Sequence, residues 1–132
     1  EAALAGDLVA AGGSVWVGKP EGDVGDYLAS LDRLVAIAPR ALGAGHGPLV
    51  DDPVVRLREQ RAHRLEREAQ VLAALDAGPL DAAGITRLIY THAEGRLHEL
   101  ARLSVLAHLE KLEGDGRVRR LGTGDDAPFA LA

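Results

Sequence analysis

From Val24 onward the apolar residues recur with a helical period, whereas before it they come in short runs separated by glycine. Those early runs, Leu4-Ala5, Leu8-Val9-Ala10 and Val15-Trp16-Val17, read as strand ends and loops. Such loops are where an α/β scaffold carries its ligand-binding residues. Pro20-Glu21-Gly22 is a turn, and Asp23 stands where a helix cap is expected. The helix after it carries Val24, Tyr27, Leu28, Leu31, Leu34, Val35 and Ala38 at i, i+3, i+4, i+7 spacing, and Pro39 closes it. Arg40-Ala41-Leu42 predicts a short strand running into the turn Gly43-Ala44-Gly45-His46-Gly47-Pro48.

Asp52-Pro53 is a helix start, a capping carboxylate followed by proline at the first helical position. The helix predicted from Pro53 to about Asp76 is charged on most sides, with Leu57, Leu65, Ala69, Leu72 and Leu75 as a narrow apolar stripe. A helix of that kind bridges two bodies of structure. Its arginines alternate with glutamates, so the face reads as solvated, and His63 lies on it. Gly78-Pro79 marks a boundary. Beyond it, a helix over about 81–91 is expected to bury Ile85, Leu88 and Ile89, with Gly84 costing roughly 1 kcal/mol against Ala. A second helical stretch runs from Leu97 to Leu112, with a break expected near Arg102. Arg117–Leu121, a glycine-rich turn and Pro128–Leu131 form a hairpin, the wing of a winged helix-turn-helix.

This pattern divides the 132 residues into an α/β part at 1–52, a bridging helix at 53–78 and a mainly helical winged-helix domain at 79–132. Composition narrows the function. At 47% hydrophobic and 27% charged the chain is globular, and no apolar run approaches the roughly 20 residues that span a bilayer. Cysteine is absent, which removes disulfides, thiolate zinc sites and a cysteine nucleophile, and fits a cytoplasmic protein. The opening Glu1-Ala2-Ala3-Leu4 has neither an initiator Met nor a basic signal region, so a start inside a longer protein is expected. A net charge of −5 argues against general nucleic-acid binding. On the expected recognition helix the exposed candidates are His108, Glu110 and Lys111, with Arg117, Arg119 and Arg120 as the basic cluster. A DNA reader is expected to display Arg, Asn or Gln there, so packing or dimerisation is the preferred role.

Two positions carry candidate chemistry. Asp7 follows a glycine at a strand end, where a carboxylate can bridge two metal ions. His46 projects from a turn of glycines and can complete the coordination of one of them. A pair of such ions about 3.5–4 Å apart activates water and polarises the bond it attacks. The competing reading of each is an ordinary turn residue. Trp16 and Tyr27 are candidates for a substrate pocket edge, with core packing as their alternative role.

The ordered series resembles the metallo-β-lactamase-fold hydrolases, and most closely the β-lactamase-like-protein-2 branch, which carries a C-terminal winged-helix domain. Gly6-Asp7 matches the family's Gly-Asp, and Gly45-His46-Gly47-Pro48 its last metal histidine. Residues 12–18 (Gly-Gly-Ser-Val-Trp-Val-Gly), 20–23 (Pro-Glu-Gly-Asp) and 27–31 (Tyr-Leu-Ala-Ser-Leu) match the segments between. His63–Glu68 and Ser104–Leu112 also look like that branch, and Ala44 stands where a proline is common. The fold implied is α/β, a partial metallo-β-lactamase αββα fold, followed by the winged helix. The resemblance makes Asp7 the bridging ligand that orients a metal-bound hydroxide, with His46 as a further ligand. It implies two zinc ions per full-length chain, with manganese or iron as alternatives. It also implies a small-molecule ester or thioester substrate, or the phosphodiester of single-stranded RNA.

The family's His-x-His-x-Asp-His motif is missing, and no histidine precedes His46. The expectation is therefore a C-terminal half, inactive alone, that self-associates as a homo-oligomer or pairs with the absent N-terminal half. Neither DNA nor a membrane is an expected partner. The rival is a non-enzymatic winged-helix protein that binds DNA or dimerises.

Overall fold

The apolar runs before Val24 yield a single strand. In the computed structural model, which describes residues 1–132, the chain forms two compact units. One comprises Glu1–Trp16 and Gly25–Glu66, the other Val17–Val24 and Arg67–Ala132.

In the first unit, β1 (Ala2–Gly6) pairs in parallel with β2 (Ala41–Ala44), and β3 (Leu49–Val50) returns antiparallel to β2. The sheet order is β1-β2-β3, with a register shift between Leu4 and Gly6. The crossover from β1 to β2 is made by α1 (Val24–Ile37), as a parallel connection requires. This helix buries Tyr27, Leu28 and Leu31, following the predicted stripe, while Leu34 and Val35 are half-buried. It ends in a left-handed residue, Ala38 at φ 48°, with Pro39 next. The strand expected at Arg40–Leu42 lies at Ala41–Ala44; the short β3, which completes a hairpin around His46, was not legible in the pattern.

Helix α2 (Pro53–Ala74) starts at the predicted proline. Its buried positions differ from those expected. Leu57 is buried in the first unit, but Leu65 is only half-buried and Ala69 is exposed. Gln60 and Arg64 are buried instead, as is Glu68 in the second unit. The hydrophobic pattern misses this line because these polar groups are buried with partners, which offsets their desolvation.

In the second unit, α3 (Ala82–Ile89), α4 (Gly95–Gly114), β4 (Val118–Arg120) and β5 (Phe129–Leu131) form the winged helix. Asp81 caps α3 by accepting from the Gly84 amide at 2.7 Å. The wing strands pair Val118 with Leu131 and Arg120 with Phe129. Leu80 adds two hydrogen bonds to Phe129, of 3.1 and 2.8 Å. Val71 and Leu75, Ile85, then Val105, Leu106, Leu109 and Leu112, and finally Val118 and Phe129 make one apolar core.

Three expectations here are corrected. Helix α4 is unbroken at Arg102, whose guanidinium bonds both carboxylate oxygens of Glu99, at 2.9 and 2.8 Å, bridging one turn. Leu88 is 59% exposed, and Thr86 is buried in its place, its hydroxyl donating to the Ala82 carbonyl at 2.6 Å. His108 is fully buried, because it shares a helix face with Val105 and Leu112. The basic residues beside it are ion-paired: Lys111 and Arg117 with Glu68 at 2.7 and 3.3 Å, and Arg120 with Glu113 at 3.6 Å. No helix is long and apolar enough to cross a membrane.

Candidate metal centre

Because β1 and β2 are parallel, their carboxyl ends emerge on the same edge of the sheet. The register pairs Gly6 with Ala44, so the residues that follow, Asp7 on one strand and Gly45-His46 on the other, are neighbours. Ligand sites in α/β folds sit at this end of the strands. Two hydrogen bonds fix the edge. The Gly45 amide donates to the Gly6 carbonyl at 2.6 Å, and the Leu8 amide donates to Ala5 at 3.1 Å, turning the chain away after Asp7. Gly6 makes that turn at φ 53°, an angle that glycine adopts without strain.

Gly45 is required by crowding. A Cβ there would overlap the Asp7 carboxylate oxygen and lie 2.9 Å from the Gly6 carbonyl carbon. The resulting approach brings His46 Nε2 to 3.5 Å from Asp7 Oδ1. Both side chains are open to solvent, at 93% and 83% exposure. The separation suits a shared metal. With metal–ligand bonds of about 2.0–2.1 Å, two tetrahedral donors lie about 3.3–3.4 Å apart. Oxygen and imidazole nitrogen also form a donor set typical of zinc, manganese or iron. Two donors fill half of a tetrahedral shell, and no group of three or more His, Cys, Asp or Glu forms around them.

The other two predicted site residues have different surroundings. Trp16 is half exposed, at 51%. Tyr27 is buried, with the Arg64 guanidinium 5.4 Å from its ring centre. Burial pushes its phenol pKa up, partly offset by the charges of Arg64 and Arg56.

Sequence reasoning missed a set of residues behind the site. The segment from Leu8 to Trp16 forms no strand. Three side chains of α2 hold its backbone. Arg56 donates to the Ala10 carbonyl at 3.0 Å and to the Gly13 carbonyl. Gln60 donates to Gly13 at 2.8 Å and accepts from the Val15 amide at 3.4 Å. Arg64 donates to the Val15 carbonyl. Their spacing, 56, 60 and 64, is one helix face, a polar stripe that was readable as such.

Residues 82–126 match the beta-lactamase associated winged helix domain family. A Drosophila melanogaster protein described as a beta-lactamase-like protein 2 homolog is 29% identical over 107 residues, 79% of this chain and 37% of its own length. Two solved structures cover 99% of this chain. A metallo-beta-lactamase family protein of Thermus thermophilus superposes with a TM-score of 0.80 at 31% identity. A beta-lactamase domain protein of Burkholderia ambifaria gives 0.87 at 27%. This chain spans 42% and 41% of those chains, less than half the length of the relatives it matches. On the parallel-edge geometry, the winged helix and these likenesses together, the chain belongs to the metallo-β-lactamase-fold family that carries a C-terminal winged-helix domain.

Proposed function

We propose that this chain is the C-terminal portion of a metal-dependent hydrolase acting on an ester, thioester or phosphodiester bond. The observation that carries the reading is the 3.5 Å approach of Asp7 Oδ1 to His46 Nε2 across a glycine that leaves no room for a side chain. Zinc is the metal that suits the donor pair best, and a dinuclear site, activating water for attack, would supply the chemistry. Asp7 would hold and orient that water through the metals, and His46 would fix one metal at the strand edge. The remaining ligands must come from outside this chain, so on this reading the chain alone does not turn over substrate.

The open outer edge of β1, together with Leu4 at 92% and Leu49 at 67% exposure, supports pairing with another polypeptide segment, a second copy or the rest of the hydrolase domain.

Metal content by elemental analysis tests the reading, on this chain and on one extended upstream. The extended protein should hold about two zinc, manganese or iron ions per chain, and H46A and G45A should each lose metal. A metal-free extended protein would make Asp7 and His46 ordinary turn residues and move a non-enzymatic winged-helix role ahead.

A further inference from the structure

We propose that Arg56 and Gln60 are positioning residues for the Asp7–His46 pair, acting through the main chain of residues 10–13. The inference rests on the metal-site reading above and asks what holds its two donors in place. Packing does not, since the side chains of Asp7 and His46 are 83% and 93% exposed. Their separation therefore depends on the backbone that carries them.

That backbone is braced from one side. Arg56 bonds the carbonyls of Ala10 and Gly13 with two nitrogens of one guanidinium. A planar fork fixes the distance between two acceptors in a way that a single ammonium does not. Gln60, 3% exposed, holds Gly13 again and the Val15 amide. Ala11 lies between the two anchored carbonyls. Its Cβ is 3.2 Å from where a side chain on Gly47 would begin, directly after His46. The same segment starts at Leu8, directly after Asp7. One brace thus lies beside both donors, next to Asp7 along the chain and next to His46 where Ala11 approaches Gly47 too closely for a further side chain. Groups hydrogen-bonded directly to metal ligands contribute about 10–100-fold in metal affinity, so a brace one step further back is expected at the low end of that range.

The test reads backbone order and metal affinity separately. Amide exchange by NMR follows the Gly45 N–H, which bonds Gly6, with the buried α1 residue Leu31 as the reference for whole-unit opening. In R56A, Gly45 should exchange about tenfold faster with Leu31 unchanged, and zinc affinity by calorimetry should fall by about tenfold. R56K, with one flexible donor group, should recover less than half of the lost protection. Q60A, a smaller cut, should move both readouts in the same direction. R61A, on the same helix as Arg56 but removing an ion pair to Asp32 of α1, should change neither.

Equal acceleration of Gly45 and Leu31 would reduce the brace to general stability and overturn the proposal. Unchanged Gly45 exchange with zinc bound equally well by R56A would also overturn it, while the metal reading stands. A Gly45 response in a chain that binds no zinc at His46 would retain the brace and remove the metal site.

Discussion

Each of the two units of this chain coheres by different physics. The second is built around an apolar core from three helices and two strands, with Ile85, Leu106, Leu109, Leu112 and Phe129 all fully buried. The first has a small sheet, a crossover helix that buries Tyr27, Leu28 and Leu31, and a nine-residue segment fixed by hydrogen bonds from Arg56, Gln60 and Arg64 to the main chain. Apolar burial is non-directional and tolerates repacking, whereas charged and amide donors fix particular atoms at particular distances. The unit that carries the candidate chemistry is the one in which side-chain bonds to the main chain hold a segment that forms no strand.

Truncating Phe129 is the strongest challenge to that contrast. F129A keeps the Leu80 pairing, which uses main-chain atoms, but leaves a cavity and should cost about 3–5 kcal/mol. Urea unfolding followed by circular dichroism should show it. Trp16, the single tryptophan, belongs to the first unit and reports there by fluorescence. Equal shifts of both midpoints would erase the difference between the units.

Next in size is a charged cluster at the edge of the second core. Glu68 is 7% exposed at its side chain and accepts from both Lys111 and Arg117. E68Q should cost about 2 kcal/mol, below the roughly 3–5 kcal/mol of a wholly buried pair, because Lys111 retains some exposure. Burial alone would lower the Lys111 pKa, but its bonds to Glu68 and Asp115 outweigh that and hold it above the ordinary 10.5. A raised lysine contributes stability that is complete below about pH 10.5 and lost as pH rises through the folded value. The wild-type urea midpoint should therefore fall more steeply than that of E68Q above pH 10.5. Parallel curves would show that the cluster does not act through Lys111.

The smallest effect lies in the first unit. Ala38 holds φ 48° at the end of α1, an angle that disfavours any Cβ. A38G should raise stability by about 0.5–1 kcal/mol after allowing for the flexibility of glycine in the unfolded chain. A thermal melt read by Trp16 fluorescence checks it, and a loss of stability would place the strain elsewhere.

Much of this architecture was legible because helical spacing and punctuation agreed. Asp52-Pro53 opened α2 at the right residue, Pro39 followed the end of α1, and the wing lay where Gly122–Asp126 divided two short strand-like runs. The candidate site was legible as Gly6-Asp7 and Gly45-His46-Gly47, since glycine marks where backbones approach. The sequence alone could not show that Gly45 bonds Gly6, because that depends on the parallel register of strands far apart in the chain. The buried face of α2 was misread for a related reason. Counting apolar residues assigns burial to Leu65 and Ala69, whereas the partners that allow Gln60 and Arg64 to be buried are backbone groups some 45 residues earlier. His108 was misplaced by its polarity, although its spacing from Val105 and Leu112 was available.

The brace on residues 10–15 has a consequence for how this protein can change. The bonds from Arg56, Gln60 and Arg64 to Ala10, Gly13 and Val15 end on main-chain carbonyls and an amide. Those groups are common to nearly all amino acids, so the support is indifferent to most identities along the loop. Ser14 and Val15 can be exchanged while the same atoms remain anchored. Selection, or a designer's library, can thus rewrite the chemical lettering of this rim while the helix behind it keeps its shape.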